Sequence, residues 1–336
     1  MTEKVVLDHG AGGGMSQELI TGTIARILGD TYIGEMEDSA VLELTGTRIA
    51  MTTDSFVVDP VFFDGGDIGK IAVAGTVNDL AVSGARPLYL TLAIVLEEGF
   101  ELEALRRILH SVRDTARAAG VRIVAGDTKV VRRGEADGIF LNTAGVGLVE
   151  RPHTLSSRTL RVGDQVIVTG FLGDHSIHLL SLREGLGFEQ RVRSDCAVLN
   201  HVVADVLDAC GAGVRCLRDI TRGGLGTVVN EFAQASATAV ELLESALPIR
   251  PETAMAADML GVDVMYLANE GNLCLVVAPE QATAALDALH AHPETARAAV
   301  VGQVVAGAPG TVRLLGADGR RSTVDLLYGA QLPRLC

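Results

Sequence analysis

Strand-like and helix-like segments alternate along this chain, and the alternation runs twice. That repetition restricts the fold more than any single residue does. Residues 40–44, 48–53, 88–97 and 138–149 have the length and composition of strands, and Val121–Ala125 reads as a short buried strand capped by Gly126-Asp-Thr-Lys129. Leu102, Leu105, Ile108, Leu109 and Val112 form an apolar helical stripe within 101–119, and 67–83 predicts a helix rich in small residues. Arg151-Pro152 and Ser156-Ser157 interrupt the pattern. It restarts with a strand at 166–169, helices at 196–210 and from Gly224, a strand at 273–278, a helix at 280–292 and two strands within 299–315. The class is α/β (α+β) with two domains. The expected division is a Gly-rich segment and helix at 1–37, an N-terminal domain at 38–152, a C-terminal domain at 153–316 and a flexible tail at 317–336.

Composition narrows the material and the partners. The chain has 336 residues, no Trp and 4% aromatic residues, so two cores must be built from Val, Leu, Ile and Ala. A net charge of −14 argues against nucleic acid as a partner. No apolar run is long enough for a membrane span, and Met1-Thr2-Glu3-Lys4 has no apolar region behind it, so neither a span nor a signal peptide is expected. Cys196, Cys210, Cys216, Cys274 and Cys336 are odd in number and never in C-x-x-C spacing, which reads as reduced cytoplasmic thiols. Lysine is confined to Lys4, Lys70 and Lys129, and the last two lie in Gly/Asp-rich motifs where a compact ammonium has a use.

Four acidic signatures recur in the first half: Glu37-Asp38-Ser39, Thr53-Asp54-Ser55, Asn78-Asp79 and Gly126-Asp127-Thr128. Each alone fits a turn or a helix cap. Together, as hard oxygen ligands near Lys70 and Lys129, they favour a Mg²⁺–ATP site. The Gly10–Gly14 run, with Gly12 and Gly13, offers backbone N–H groups to phosphates but matches neither a P-loop nor a dinucleotide fingerprint. In the second half Arg222 at a helix start suits either an anion or a structured turn. Glu270, between Asn269 and Gly271, is either a loop carboxylate placed for proton transfer or a solvated turn residue. His175 and His178 have helical spacing but no evident third ligand. The last residue, Cys336, ends a tail stiffened by Pro333 and is either a mobile nucleophilic carrier or an incidental end.

The ordered set Thr53-Asp-Ser55, Gly65-Gly-Asp-Ile-Gly-Lys70, Val77-Asn-Asp-Leu80, Gly126-Asp-Thr-Lys129, Ala136-Asp-Gly-Ile-Phe140, Ser194-Asp-Cys196, Arg218-Asp219 with Thr221-Arg-Gly-Gly224, Ala268-Asn-Glu-Gly271 and Pro333-Arg-Leu-Cys336 resembles the HypE family of hydrogenase maturation proteins, nearly end to end. Leu335 stands where that family has Ile, and Ile220 where it tends to Pro. The wider group is the aminoimidazole ribonucleotide synthetase-like superfamily.

The resemblance implies a two-domain architecture that forms homodimers through the N-terminal domains, with ATP near the dimer interface. It implies Asp38, Asp54, Asp79 and Asp127 as Mg²⁺–ATP ligands, Asn78 beside them, and Lys70 on phosphate. It further implies a carbamoyl group loaded on Cys336 by the carbamoyltransferase HypF, dehydrated with ATP to a thiocyanate, and passed as cyanide to HypC–HypD for the iron of [NiFe] hydrogenase. Glu270 and Lys129 are the candidate proton acceptors, with Glu270 ranked first. The alternatives are a small-molecule synthetase or kinase of the same superfamily, and a non-catalytic thiol carrier.

Overall fold

The structure is a computed structural model and describes residues 7–10, 13–28 and 38–329. Cys336 and Gly12 lie outside the described residues.

The first sheet is built from β1 (Ala40–Leu44), β2 (Thr47–Phe56), β5 (Arg86–Glu97), β6 (Arg122–Val131) and β7 (Ile139–Leu148), in the order β1-β2-β7-β5-β6. A short hairpin, β3 (Phe62–Phe63) and β4 (Gly66–Asp67), precedes helix α3 (Ile68–Val82), and α4 (Leu102–Ala119) links β5 to β6. Only the β5–β6 pair is parallel, as a crossover through a helix requires. β7 alternates buried and half-buried residues along its whole length, so one face is covered and the other is not. Its covered face packs on α3 and α4 through Leu90, Leu92, Ile139, Leu141, Ile71 and Ile108.

The second sheet runs β14-β13-β10-β12-β8-β11-β9, with β8 (Gln165–Val168), β9 (Val214–Asp219), β10 (Ala239–Leu243), β11 (Leu273–Val277), β12 (Ala299–Val305), β13 (Thr311–Leu315) and β14 (Arg321–Thr323). Its central strands β8 and β11 are covered on both faces and are accordingly apolar, whereas the edge strand β14 is exposed. Val166, Cys274 and Val276 face α7 (Gly224–Ser236), while Ile167, Leu273, Leu275 and Val277 face α6 (Asn200–Cys210) and α9 (Ala282–His290). Helices α5 (Asp174–Glu184) and α8 (Pro251–Leu260) pack on each other through Ile177, Ala256 and Ala257, and α5 also sends Leu179 and Leu180 into the core of the first half. β14 pairs with β13, so part of the segment expected to be a free tail belongs to this sheet.

α3 belongs to both halves. All of its residues except Lys70 are buried, which is the signature of a helix enclosed on every side and explains its small, apolar composition. Ala81 and Val82 sit in the core of the second half. Asn78 fastens the junction: its Nδ2 donates to the Ala197 carbonyl (3.0 Å) and its Oδ1 accepts from Leu199 N–H (2.8 Å). Asn78→Ala leaves two buried backbone groups without partners, and is expected to cost about 2–3 kcal/mol in urea unfolding.

Near the N-terminus, α1 (Gly13–Leu19), a π-helical turn (Ile20–Ala25) and α2 (Arg26–Leu28) form one rod. The chain before residue 330 runs against it: Gly14 N–H donates to the Leu327 carbonyl (2.8 Å), and Tyr266 Oη donates to the Asp325 carbonyl (2.8 Å). Gly13 adopts φ +73, and a Cβ there would lie 2.1 Å from the Leu327 oxygen. Within the described chain, therefore, this glycine is required by backbone-to-backbone contact with the C-terminal segment.

Candidate active site at the domain junction

Four carboxylates converge where the halves meet. Asp38 precedes β1, Asp54 lies on β2, Asp79 is on α3 and Asp219 ends β9. Thr52 Oγ1 is shared between Asp79 Oδ2 (2.9 Å) and the Asp38 carbonyl (3.0 Å), and Ser39 Oγ donates to the Asp79 carbonyl (2.9 Å). These bonds hold the β1 entry, β2 and α3 in one arrangement. Arg218 Nε lies 3.0 Å from Asp38 Oδ1, and the same guanidinium pairs with Glu231 on α7. Arg222 adds a second cation facing Asp54 and Asp219.

Burial and mutual repulsion disfavour ionisation here. Burial, then the Asp38 and Asp54 charges, push Asp219 up to about 8, against the pull of Arg218 and Arg222. Burial followed by Asp219, Asp54 and Asp38 holds Asp79 well above the usual carboxylate range, and burial raises Asp54. Oxygen donors whose carboxyl groups are held above their ordinary range by burial and mutual repulsion fit a hard divalent cation, which offsets that repulsion with its own charge. The cation-free fold holds protons that the unfolded chain has already lost. Stability therefore falls as pH rises through the raised values. The cation-free protein is expected to lose thermal stability from about pH 7 to pH 8, as Asp219 passes through its raised value, and saturating Mg²⁺ is expected to flatten the profile. Melting curves at the two pH values, with and without Mg²⁺, test this.

Asp219 was visible in the sequence as part of Arg218-Asp219 but carried no assigned role. The signal that finds it is three-dimensional: β9 ends against α3. Asp127 departs from the expected group. The register aligns Asp54, Thr143, Leu92 and Gly126 across the covered face of the first sheet, and Ser55, Asn142, Ala93 and Asp127 across the other face. Three strand spacings, ~14 Å, and opposite faces separate Asp127 from Asp54 within one chain. Asp127 and Lys129 instead pair with each other (2.8 Å) on an exposed edge strand, and this pairing lowers the Asp127 pKa. The expected short buried strand ending at Ala125 is in fact exposed and continues through Gly126–Lys129, because among the described residues no helix covers β6.

Lys70 and Asn78 also stand apart from the acids. Lys70 is at the opposite end of α3 from Asp79, ~13 Å along the axis. Its Nζ donates to the Gly65 carbonyl (2.8 Å), and it lines a cavity of about 750 Å³ with Asp195, Cys196, Arg250 and Arg297. Both polar ends of Asn78 are taken by the junction. Glu270 lies just before β11 and is 8% exposed. Its N–H donates to Asp195 Oδ1 (2.9 Å), and the segment 269–272 is tied to Ile220, next to Asp219, by two backbone bonds. Burial pushes Asp195 up to about 7, and its Oδ2 is enclosed with no hydrogen-bond partner among the described residues. His175 and His178 are structural: His175 Nδ1 meets Ser194 Oγ (2.8 Å), and His178 Nε2 accepts from Asp64 N–H (3.0 Å). The four described cysteines are all buried, and burial raises the thiols of Cys196, Cys210 and Cys274, so none of these three is a ready thiolate.

Two layered α/β halves with acids gathered at their seam define a class, and sequence comparison agrees. Residues 36–149 match the AIR synthase related protein N-terminal domain, and residues 161–314 match its C-terminal domain. The carbamoyl dehydratase HypE of Rhodobacter capsulatus is 49% identical, over 99% of this chain and 98% of that protein. A HypE–HypF complex contains a chain that superposes with a TM-score of 0.86 at 40% identity, covering 92% of this chain and 99% of that one. A HypE bound to ATP gives 0.83 at 42% identity, over 99% and 100%. The chain belongs to the HypE family of carbamoyl dehydratases.

Proposed function

We propose that this protein is an ATP-dependent carbamoyl dehydratase that converts an S-carbamoyl group on its own Cys336 to a thiocyanate. HypF loads the thiol, the reaction takes place in the cytoplasm, and the cyanide passes to a HypC–HypD complex for the iron of a [NiFe] hydrogenase. The observation that carries this reading is the junction itself: Asp38, Asp54, Asp79 and Asp219 meet at the seam, and Glu270 is held on the segment bonded to Ile220. The relatives supply the reaction class.

The oxygen of S–C(=O)–NH₂ is a poor leaving group. Transfer of the γ-phosphoryl group to that oxygen, with loss of one N–H proton, gives S–C(OPO₃)=NH and ADP. Loss of the second N–H proton expels phosphate and leaves S–C≡N. Bound Mg²⁺ would neutralise charge on the transferring phosphate. Asp38, Asp54 and Asp79, joined by Asp219, would hold it. Arg222 would face the phosphates, and Glu270 would take a proton from nitrogen.

Asp127 and Lys129 fit this scheme through a homodimer. Their face of the first sheet also carries Met51 and Tyr89, which are 43% and 46% exposed. Two copies joined by these faces would place Asp127 and Lys129 of one copy at the nucleotide site of the other. Mixing inactive Lys129→Ala and Asp79→Asn chains is then expected to restore activity in part. A mixture as inactive as its components contradicts the shared site.

Phosphate release in the presence of HypF, a carbamoyl donor and Mg²⁺–ATP tests the assignment. Cys336→Ser is expected to abolish it. A small-molecule synthetase or kinase would turn over unchanged.

A further inference from the structure

Away from the junction, the geometry points to a transition-metal site formed by His201, Asp205, His292 and Glu294. His201 and Asp205 are one turn apart on α6, and His292 and Glu294 flank Pro293 just after α9. A ligand atom from each of His201, His292 and Glu294 lies within 4.8 Å of the others. His292 Nε2 is 2.9 Å from Asp205 Oδ2, so a fourth donor already meets the group. The two imidazoles meet edge to face, 5.3 Å between centroids.

Both ligand-bearing segments are fixed by packing. Val202, Val203 and Val206 of α6 share one core with Ala285 and Leu289 of α9. The loop after α9 is braced by His292 N–H to the Leu289 carbonyl (3.1 Å), Thr295 Oγ1 to the same carbonyl (2.6 Å) and Ala298 N–H to the Thr295 carbonyl (2.9 Å). Pro293 locks its own φ and holds His292 extended, at φ −109 and ψ 133. Two imidazoles and two carboxylates, on two elements packed into one core, suit a borderline divalent ion of the Zn²⁺ or Co²⁺ class. They suit Mg²⁺ poorly, because that ion prefers oxygen ligands and retains water. The Asp38 cluster and this site therefore select different metals. His201 and Glu294 also line the 750 Å³ cavity that holds Lys70 and Arg250, so the ion would sit at its rim.

The test is titration of the full-length protein with Co²⁺ in excess Mg²⁺, which fills the oxygen site. Cys336→Ser is used as the background to remove a competing thiol. One equivalent is expected to bind and give the intense visible bands of a low-coordinate nitrogen–oxygen site. His201→Ala and His292→Ala are each expected to weaken binding by at least about tenfold, with unchanged circular dichroism, since His201 is exposed and His292 half-buried, outside the apolar core that joins α6 and α9. Bound Zn²⁺ is expected to raise the melting temperature of the parent and not of His292→Ala. Absence of stoichiometric binding, or binding of equal strength in both variants, overturns the site.

Discussion

Glu270→Gln is expected to slow dehydration by about 10²–10⁴-fold while leaving carbamoylation of Cys336 intact. The side chain is buried, and its backbone is held on both sides: N–H to Asp195 Oδ1 at 2.9 Å, and the carbonyl to Ala197 N–H at 3.4 Å. Glutamine keeps the volume and those backbone bonds, so the fold is expected to be retained. What is removed is the capacity to accept a proton. Single-turnover kinetics on pre-carbamoylated protein measure the step directly. An unchanged rate would remove Glu270 from the chemistry and leave Lys129 as the base. Asp195→Asn provides a graded comparison. It preserves the shape around Glu270 but weakens the hydrogen bond that orients it, and a smaller loss is expected.

The second large effect concerns the acids at the seam. Asp79→Asn is expected to lower Mg²⁺-dependent turnover by about 10²-fold or more, because one of four converging donors is lost. The same substitution is expected to stabilise the cation-free protein by about 1–3 kcal/mol, since it removes a buried carboxyl that three neighbours already oppose. Opposite movements of activity and stability are the mark of a site arranged for a ligand rather than for folding. Urea unfolding without Mg²⁺, together with phosphate-release rates, separates the two. A destabilised variant would show that Asp79 serves packing through Thr52 instead.

Much of this architecture was legible in the sequence because its signals are local. The stripe on α4, the apolar runs of β5 and β11, and the small residues of α3 each follow from one element's period. β10 and α8 carry weaker periodicity and give no clear local signal. The apolar start of β6, Val121–Ala125, is the pattern of a short buried central strand; its exposure depends on what packs against that side of the sheet. β14 could not be inferred from Arg321-Ser-Thr323, which becomes a strand only by pairing with β13. The site divides in the same way. Asp38, Asp54 and Asp79 stood out by motif, and Asp219 joined them only when β9 met α3. Asp127 looked equivalent by motif, yet strand register places it on the opposite face. Asn78 reads as a ligand beside Asp79 until both ends of its amide are seen on the loop at 197–199.

Intact-protein mass measurement on the carbamoylated chain tests the chemistry most directly. Addition of Mg²⁺–ATP is expected to remove one water, about 18 Da, from the adduct on Cys336, as ATP becomes ADP and phosphate. An adduct that keeps its mass while ATP is consumed, or a mass loss that persists in Cys336→Ser, would contradict a dehydratase that acts on its own terminal thiol.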